Sequence, residues 1–311
     1  MHAYPFQLIE RLMSHKNNFI AFLFFFSVGI THAQEGLLAL LDSAEDKKPE
    51  KVFATFKTSR IVNGHSIETV GEKSMDFRIT HHFGDVSGQG GGGHTLYGFD
   101  QASDIRLAFE FGLSNRLTAG VGRSKINEMV DGYLKYRLLQ QTTYNKMPVS
   151  VTVFTNVAVT AQKNISNAYD NFAHRMSYTY QALIARKFNR KLSLQIMPTL
   201  LHRNYIFNAK DENDLYSLGI GGRIKLTRSL ALLADYFHTF SSFRKENNQT
   251  YFAPLGIGVE IETGGHVFHL FFTNNAAILE NSFIANTTSA WRKGEFKFGF
   301  NISRTFSVGK N

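Results

Sequence analysis

The chain has 311 residues and a formal net charge of +9, with 29 Phe, 12 Tyr, 25 Gly, 5 Pro and no cysteine. Without cysteine there are no disulfides, no thiolate metal sites and no lipoprotein anchor on a mature N-terminal cysteine. Its many aromatic residues coexist with slightly negative mean hydropathy, which is expected where each apolar residue alternates with a polar one.

Residues 19–30 form an apolar run preceded by His15 and Lys16 and followed by the small-x-Ala site Thr31-His-Ala33. The run is too short to span a bilayer and reads as a secretory signal cut after Ala33, against the alternative of a membrane anchor. A signal beginning at Met13 has the usual length and a basic lead. No later run approaches the roughly 18 apolar residues of a spanning helix. The remaining Lys and Arg are expected to face lumen, turns and lipid headgroups, with no nucleic-acid partner.

Residues 34–73 are expected to be a periplasmic or lumenal segment. Within it, residues 36–41 read as a short helix and 42–49 as a charged linker. A helix this short is marginal alone and needs a partner: the lumen, the membrane surface or a periplasmic protein.

From residue 74 the period becomes two. Ile105, Leu107, Phe109, Phe111 and Leu113 share one face, and Arg106, Ala108, Glu110 and Gly112 the other. The same alternation places strands near 74–84, 102–113, 117–125, 130–140, 149–162, 173–188, 192–206, 215–226, 230–243, 251–262, 266–284 and 295–308. Residues 266–284 are ambiguous because both faces are apolar. Short turns at 114–117, 189–192, 227–230 and 263–266 alternate with longer links at 84–101, 126–129, 163–172, 207–214, 245–250 and 286–293. This rhythm predicts an all-β, antiparallel, up-and-down transmembrane β-barrel of about twelve strands, with short turns toward the periplasm. A thirteenth strand over 52–62 would start the barrel outside, so parity makes 52–70 part of a plug-like segment in or beneath the lumen.

Residues 54–68, containing Arg60-Ile-Val-Asn-Gly-His65, together with 75–84 and 132–139 resemble a family of Bacteroidota outer-membrane β-barrel proteins known only as a domain of unknown function. The resemblance implies a barrel fold and an outer-membrane address. It brings no substrate and no site residues.

Charged residues on the inward track are the candidate site: Arg78, Arg106, Glu110, Asp131, Lys135, Arg137, Arg203, Arg223, Lys225, Asp235, Glu260, Glu262, Glu295 and Lys297. Ionisable groups in a spanning strand must face water or each other. They either line a selective pore or close a salt-bridged, wet and ionic interior. A mostly occluded interior is favoured, because twelve strands enclose a lumen narrower than a 16-stranded porin's and residues 35–70 are available as a plug. Arg186 and Arg304 fall on the lipid track near periplasmic ends, where they can snorkel.

Other motifs carry less. Residues 88–93 satisfy G-x-G-x-x-G, but strands flank them, so they read as an external loop rather than a phosphate cradle. His81 and His82 point to opposite faces and cannot share a metal. His82, His94, His174 and His202 near external ends read as satisfied or solvated rather than as a metal or haem site. No H-E-x-x-H or G-x-S-x-G occurs, and no cofactor is expected. The leading expectation is a monomer in outer-membrane lipid that passes or binds a small solute, gated by its N-terminal segment. The alternative is a non-transporting scaffold or receptor for a periplasmic or surface protein, and a third is a lipid-acting barrel enzyme.

Overall fold

Alternating inward and outward side chains are satisfied by a sheet that closes on itself, since closure leaves no unpaired edge in lipid. The computed structural model describes residues 49–164 and 169–309. The signal, its cleavage site, the helix at 36–41 and nearly all of the charged linker lie outside the described residues. Among the described residues, twelve strands form a closed antiparallel barrel in sequence order. They are β1 (Ser74–Asp85), β2 (Ala102–Gly112), β3 (Leu117–Ser124), β4 (Met129–Leu139), β5 (Ser150–Thr160) and β6 (Met176–Lys187). The circuit continues with β7 (Leu192–Arg203), β8 (Asp214–Lys225), β9 (Leu230–Phe240), β10 (Leu255–Glu262), β11 (Val267–Thr273) and β12 (Lys297–Ser307). Closure is between β1 and β12, where Ser74 faces Ser307.

The outward track is apolar. Leu107, Phe109, Val121, Leu134, Ile196, Ile220, Leu232 and Ile257 are exposed there, as a lipid-facing band requires. Even-numbered β2 and β5 residues and odd-numbered β7 and β9 residues are instead buried inside. Arg304 stays exposed and stacks on Phe306 at 5.0 Å, while Arg186 donates to the Pro148 carbonyl at 3.1 Å near its strand end.

Three strands depart from the alternation pattern. The segment 266–284 is not one strand: β11 ends at Thr273, and a second helix, α2 (Glu280–Asn286), follows inside the barrel. Asparagine side chains stop the ladder, because Leu255 N–H donates to Asn274 Oδ1 at 2.8 Å and Asn275 Nδ2 to the Ala277 carbonyl at 3.1 Å. The apolar residues beyond them face the lumen instead of lipid, so the wall-like composition misled. The strand read over 251–262 starts only at Leu255, because Pro254 has no N–H to offer β9. The strand read over 230–243 ends at Phe240, and Ser241 then caps a one-turn helix, α1 (Ser242–Glu246), accepting from Arg244 N–H at 3.1 Å. The Gly-rich stretch 88–93 leads into a 3-10 turn over Gly93–Gly98 rather than an α-helix.

Candidate functional site

The segment that parity excludes from the wall is a hairpin against the inward-facing side chains. Its entry is tied to the β4–β5 turn, where Val52 N–H donates to the Gln141 carbonyl at 2.8 Å and Thr143 N–H to the Glu50 carbonyl at 2.9 Å. Ser66 N–H to Ser59 carbonyl and Ile61 N–H to Gly64 carbonyl, both 2.9 Å, then fold residues 59–66 back on themselves. A turn tip exposes unpaired N–H groups, which are costly to bury. Asp235 on β9 satisfies them. Its Oδ2 accepts from Val62 N at 3.0 Å, Asn63 N at 2.7 Å and Gly64 N at 3.0 Å, while Oδ1 accepts from Asn63 Nδ2 at 2.8 Å.

Glycines on the wall make room for the tip. A Cβ at Gly221 would sit 2.5 Å from Ile61 Cδ1, and one at Gly256 would sit 2.6 Å from Val62 Cγ1. The returning limb is held by Gln195, whose Oε1 accepts from Ile67 N at 2.8 Å and whose Nε2 donates to the His65 carbonyl at 2.7 Å. Thr152 Oγ1 donates to the Ile67 carbonyl at 2.8 Å, and Val70 N–H donates to Thr118 Oγ1 at 2.8 Å.

The β1–β4 wall is ionic. Arg78 meets Asp76 at 3.0 Å and Glu110 at 3.7 Å, and Arg106 meets Asp131 at 2.6 Å. Asn156 Nδ2 also donates to Asp131, at 3.0 Å. The small β3 residues are the floor on which these long side chains lie: a Cβ at Gly122 would fall 1.8 Å from Arg106 Nη1, and one at Gly120 2.1 Å from Tyr133 Cζ. The hairpin joins this network. Ser59 Oγ donates to Glu110 at 2.7 Å, Lys135 Nζ donates to the Glu68 carbonyl at 2.6 Å, and Arg137 meets the Glu68 carboxylate at 3.3 Å.

The remaining candidates separate by position. Arg223 donates twice to Glu260, at 3.0 and 2.7 Å, with His269 3.4 Å from the same carboxylate. Arg203 pairs with Asp211 at 3.0 Å in the β7–β8 loop. Lys297 pairs with Asp85 at 2.5 Å at the loop end. Lys225 is half-buried at the turn end, where Glu262 is also half-buried and meets Lys57. Glu295 is not on the wall: β12 begins at Lys297, and the Glu295 carboxylate accepts from Ala290 N–H at 2.9 Å within the preceding loop.

The other wall corrects the expectation of an ionic interior all round. Phe154, Leu183, Met197, Leu201, Leu215, Leu233 and Phe237, on β5–β9, form a buried apolar cluster with Ile61 and Val62 of the hairpin and Phe283 and Ile284 of α2. Phe237 and Phe283 meet edge-on at 5.2 Å. The loop 274–296 therefore enters from the loop end and the hairpin from the turn end, and they meet. Thr273 Oγ1 donates to Asn63 Oδ1 at 3.0 Å, and Arg60 lies 3.5 Å from Glu280 while donating to the Asn63 carbonyl at 2.7 Å.

Arg60, His65 and Glu280 were not among the sequence candidates. Arg60 and His65 sit in the family-like motif but off any strand track, and Glu280 falls in the part of 266–284 that is helix rather than strand. Burial, reinforced by Arg60, Lys135, Arg106 and Arg78, holds His65 well below the usual histidine range. Burial pushes the Glu280 carboxyl up, against the opposing pull of Arg60. The histidines do not converge: His82 is turned inward to the Ala276 carbonyl at 3.1 Å, and His202 bonds Asp214 at 2.7 Å. Among the described residues, no group of three or more His, Asp or Glu is placed to hold a metal ion. A recess of about 500 Å³ lies at the turn end beside Asp76, Arg78 and Glu110, and one of about 740 Å³ lies at the loop end between α1, α2 and the outward-facing Tyr216, His238 and Phe240 of β8 and β9.

Residues 56–306 match the model of a family described as membrane bound beta barrel domain (DUF5777). Among solved structures, the chain is similar to an outer membrane channel from Pseudomonas putida F1, with 13% identity over 79% of this chain and 100% of that one, at TM-score 0.48. It is also similar to the NanC porin, with 9% identity over 75% of this chain and 98% of that one, at TM-score 0.45. For the KdgM porin the values are 8% identity, 75% and 99% coverage, and TM-score 0.46. No curated protein matches the chain.

Proposed function

The chain belongs to this membrane-bound β-barrel domain family, and from that premise we propose that it is an outer-membrane barrel of the Bacteroidota type that binds or passes a small solute. The hairpin over residues 59–66 is its gate, closed at rest. One observation carries this reading: the tip is held by a single wall carboxylate, Asp235, accepting three backbone N–H groups and one side-chain amide. A gate needs a latch that one local change can release, and both hairpin limbs lead to the turn end, the side to which it would withdraw. The charged β1–β4 wall is the surface a passing solute would meet, with Arg78, Arg106, Glu110, Asp131 and Lys135 as its lining.

Planar-bilayer recording tests the reading. Wild-type protein is expected to conduct in rare, brief openings, and Asp235→Ala to open for most of the record. If Asp235→Ala and a variant lacking residues 56–70 both stay silent while folded, the pore is wrong. The apolar packing on β5–β9 would then favour the second reading, a non-transporting receptor or scaffold.

A further inference from the structure

The seam between β9 and β10 is incomplete near the loop end. Leu255 faces Tyr236, so residues 251–254 would continue along 237–240 if the ladder ran on. It stops after one bond, Phe237 N–H to the Pro254 carbonyl at 3.0 Å. The reciprocal bond cannot form because proline has no N–H. Beyond that point the chain is fastened inward instead: Phe252 N–H donates to the Thr287 carbonyl at 2.9 Å, and Asn274 Nδ2 to the Ala253 carbonyl at 3.1 Å. The cavity of about 740 Å³ lies at this gap. It is lined both by His238 and Phe240, exposed on β9, and by Ile284 and Ala285, buried on α2. It therefore joins the outer surface of the barrel to its interior.

We propose that this seam is a lateral portal for an amphiphile, a molecule with an apolar chain and an anionic head that enters from the bilayer. The cavity size falls within the roughly 300–1,000 Å³ typical of small-molecule sites. Its acids are already engaged: Glu212 accepts from Ser241 Oγ at 2.5 Å and Ser242 N–H at 3.0 Å, and Asp214 from His202 at 2.7 Å. Arg244 is held by Asp211 at 2.7 Å and by the Ala285 carbonyl. Lys245 is exposed and makes no ion pair among the described residues, so one ammonium at the rim is free to meet an anionic head. Apolar wall below and cation above is the arrangement that recognises an anionic surfactant-like molecule. The portal goes beyond the gated-pore reading, and its occupancy does not require the lumen to conduct.

The probe is dodecanoate carrying a diazirine on its chain, added to the full-length protein in phosphatidylethanolamine vesicles and mapped by peptide mass spectrometry after illumination. Adducts should concentrate on residues 238–240, 251–253 and 284–287. Ala253→Trp, and independently Ala285→Leu, should lower seam adducts about tenfold, with folding checked by heat-modifiable migration. Lys245→Glu should lower dodecanoate adducts and spare those of the matching dodecanol probe. Adducts spread evenly over the apolar belt, or seam adducts unchanged in both filling variants, would overturn the portal. Equal loss of acid and alcohol probes in Lys245→Glu would overturn the anionic head.

Discussion

The β1–β4 wall and the β5–β9 wall enclose one lumen with opposite chemistry. The first offers Asp76, Arg78, Arg106, Glu110, Asp131 and Lys135, all buried and mostly paired with each other or with the hairpin. The second offers Phe154, Leu183, Met197, Leu215, Leu233 and Phe237, packed as in the core of a soluble domain. The hairpin is amphipathic to match, with Ser59 and Glu68 toward the ions and Ile61 and Val62 toward the cluster. The two walls divide the labour. Apolar contact supplies non-directional attraction that grows with buried area. A buried ion pair contributes little net stability over an apolar replacement but penalises the loss of either partner.

Substitutions on the two walls should behave differently. Phe237→Ala empties a fully buried site and should cost about 3–5 kcal/mol, read by urea unfolding in bilayers. Arg106→Leu strands Asp131 without its cation and should cost about the same, roughly 3–5 kcal/mol. The walls part in the double variants. Adding Asp131→Leu to Arg106→Leu should recover most of that loss, because the charge to be compensated is gone. No second truncation should rescue Phe237→Ala. If the ionic double variant is as unstable as the single one, the wall is not a set of compensated pairs. Next in size, Asp235→Ala should cost about 1–3 kcal/mol, the penalty for leaving buried N–H groups unpaired, with the loss confined to hairpin protection in amide exchange. Breaking the half-exposed Lys57–Glu262 pair with Lys57→Ala should change stability by no more than about 1 kcal/mol.

Alternation is readable wherever one face meets lipid, which is why the strand tracks can be assigned from residues alone. It failed where apolar residues point inward. Residues 276–285 carry the composition of a membrane strand, yet Asn274 and Asn275 take up the backbone bonds that would have continued it. Likewise the ionic candidates on β1–β4 stood out as charges on a spanning strand, whereas inward Met197 or Phe237 look like ordinary wall residues. Asp235 was visible as one inward acid among many. Its role depends on the turn at Val62, Asn63 and Gly64, and spacing in the sequence does not bring those residues to β9.

Acid offers a test specific to the hairpin. His65 docks neutral, with its pKa held low by burial and by Arg60, Lys135, Arg106 and Arg78. An undocked hairpin therefore binds protons more readily, so docking is fully favoured above the ordinary histidine value of about 6.5 and weakens as pH falls below it. Glu280 has the opposite sign: its raised carboxyl favours docking in acid and loses that contribution as pH rises past the ordinary carboxylate range. Hairpin release between about pH 6.5 and 5 should accordingly be blunted in His65→Gln and steeper in Glu280→Gln. Identical pH profiles in all three proteins would remove His65 from the account.

The chain has no cysteine, so one introduced thiol reports on the hairpin tip alone. Val62→Cys places it where the side chain is 3% exposed against Gly256, and maleimide labelling in membranes measures how often the tip leaves its seat. Labelling should be slow in this variant and about a hundredfold faster when Asp235→Ala is added, in line with a few kcal/mol of latch. Equally fast labelling with Asp235 present or absent would contradict it.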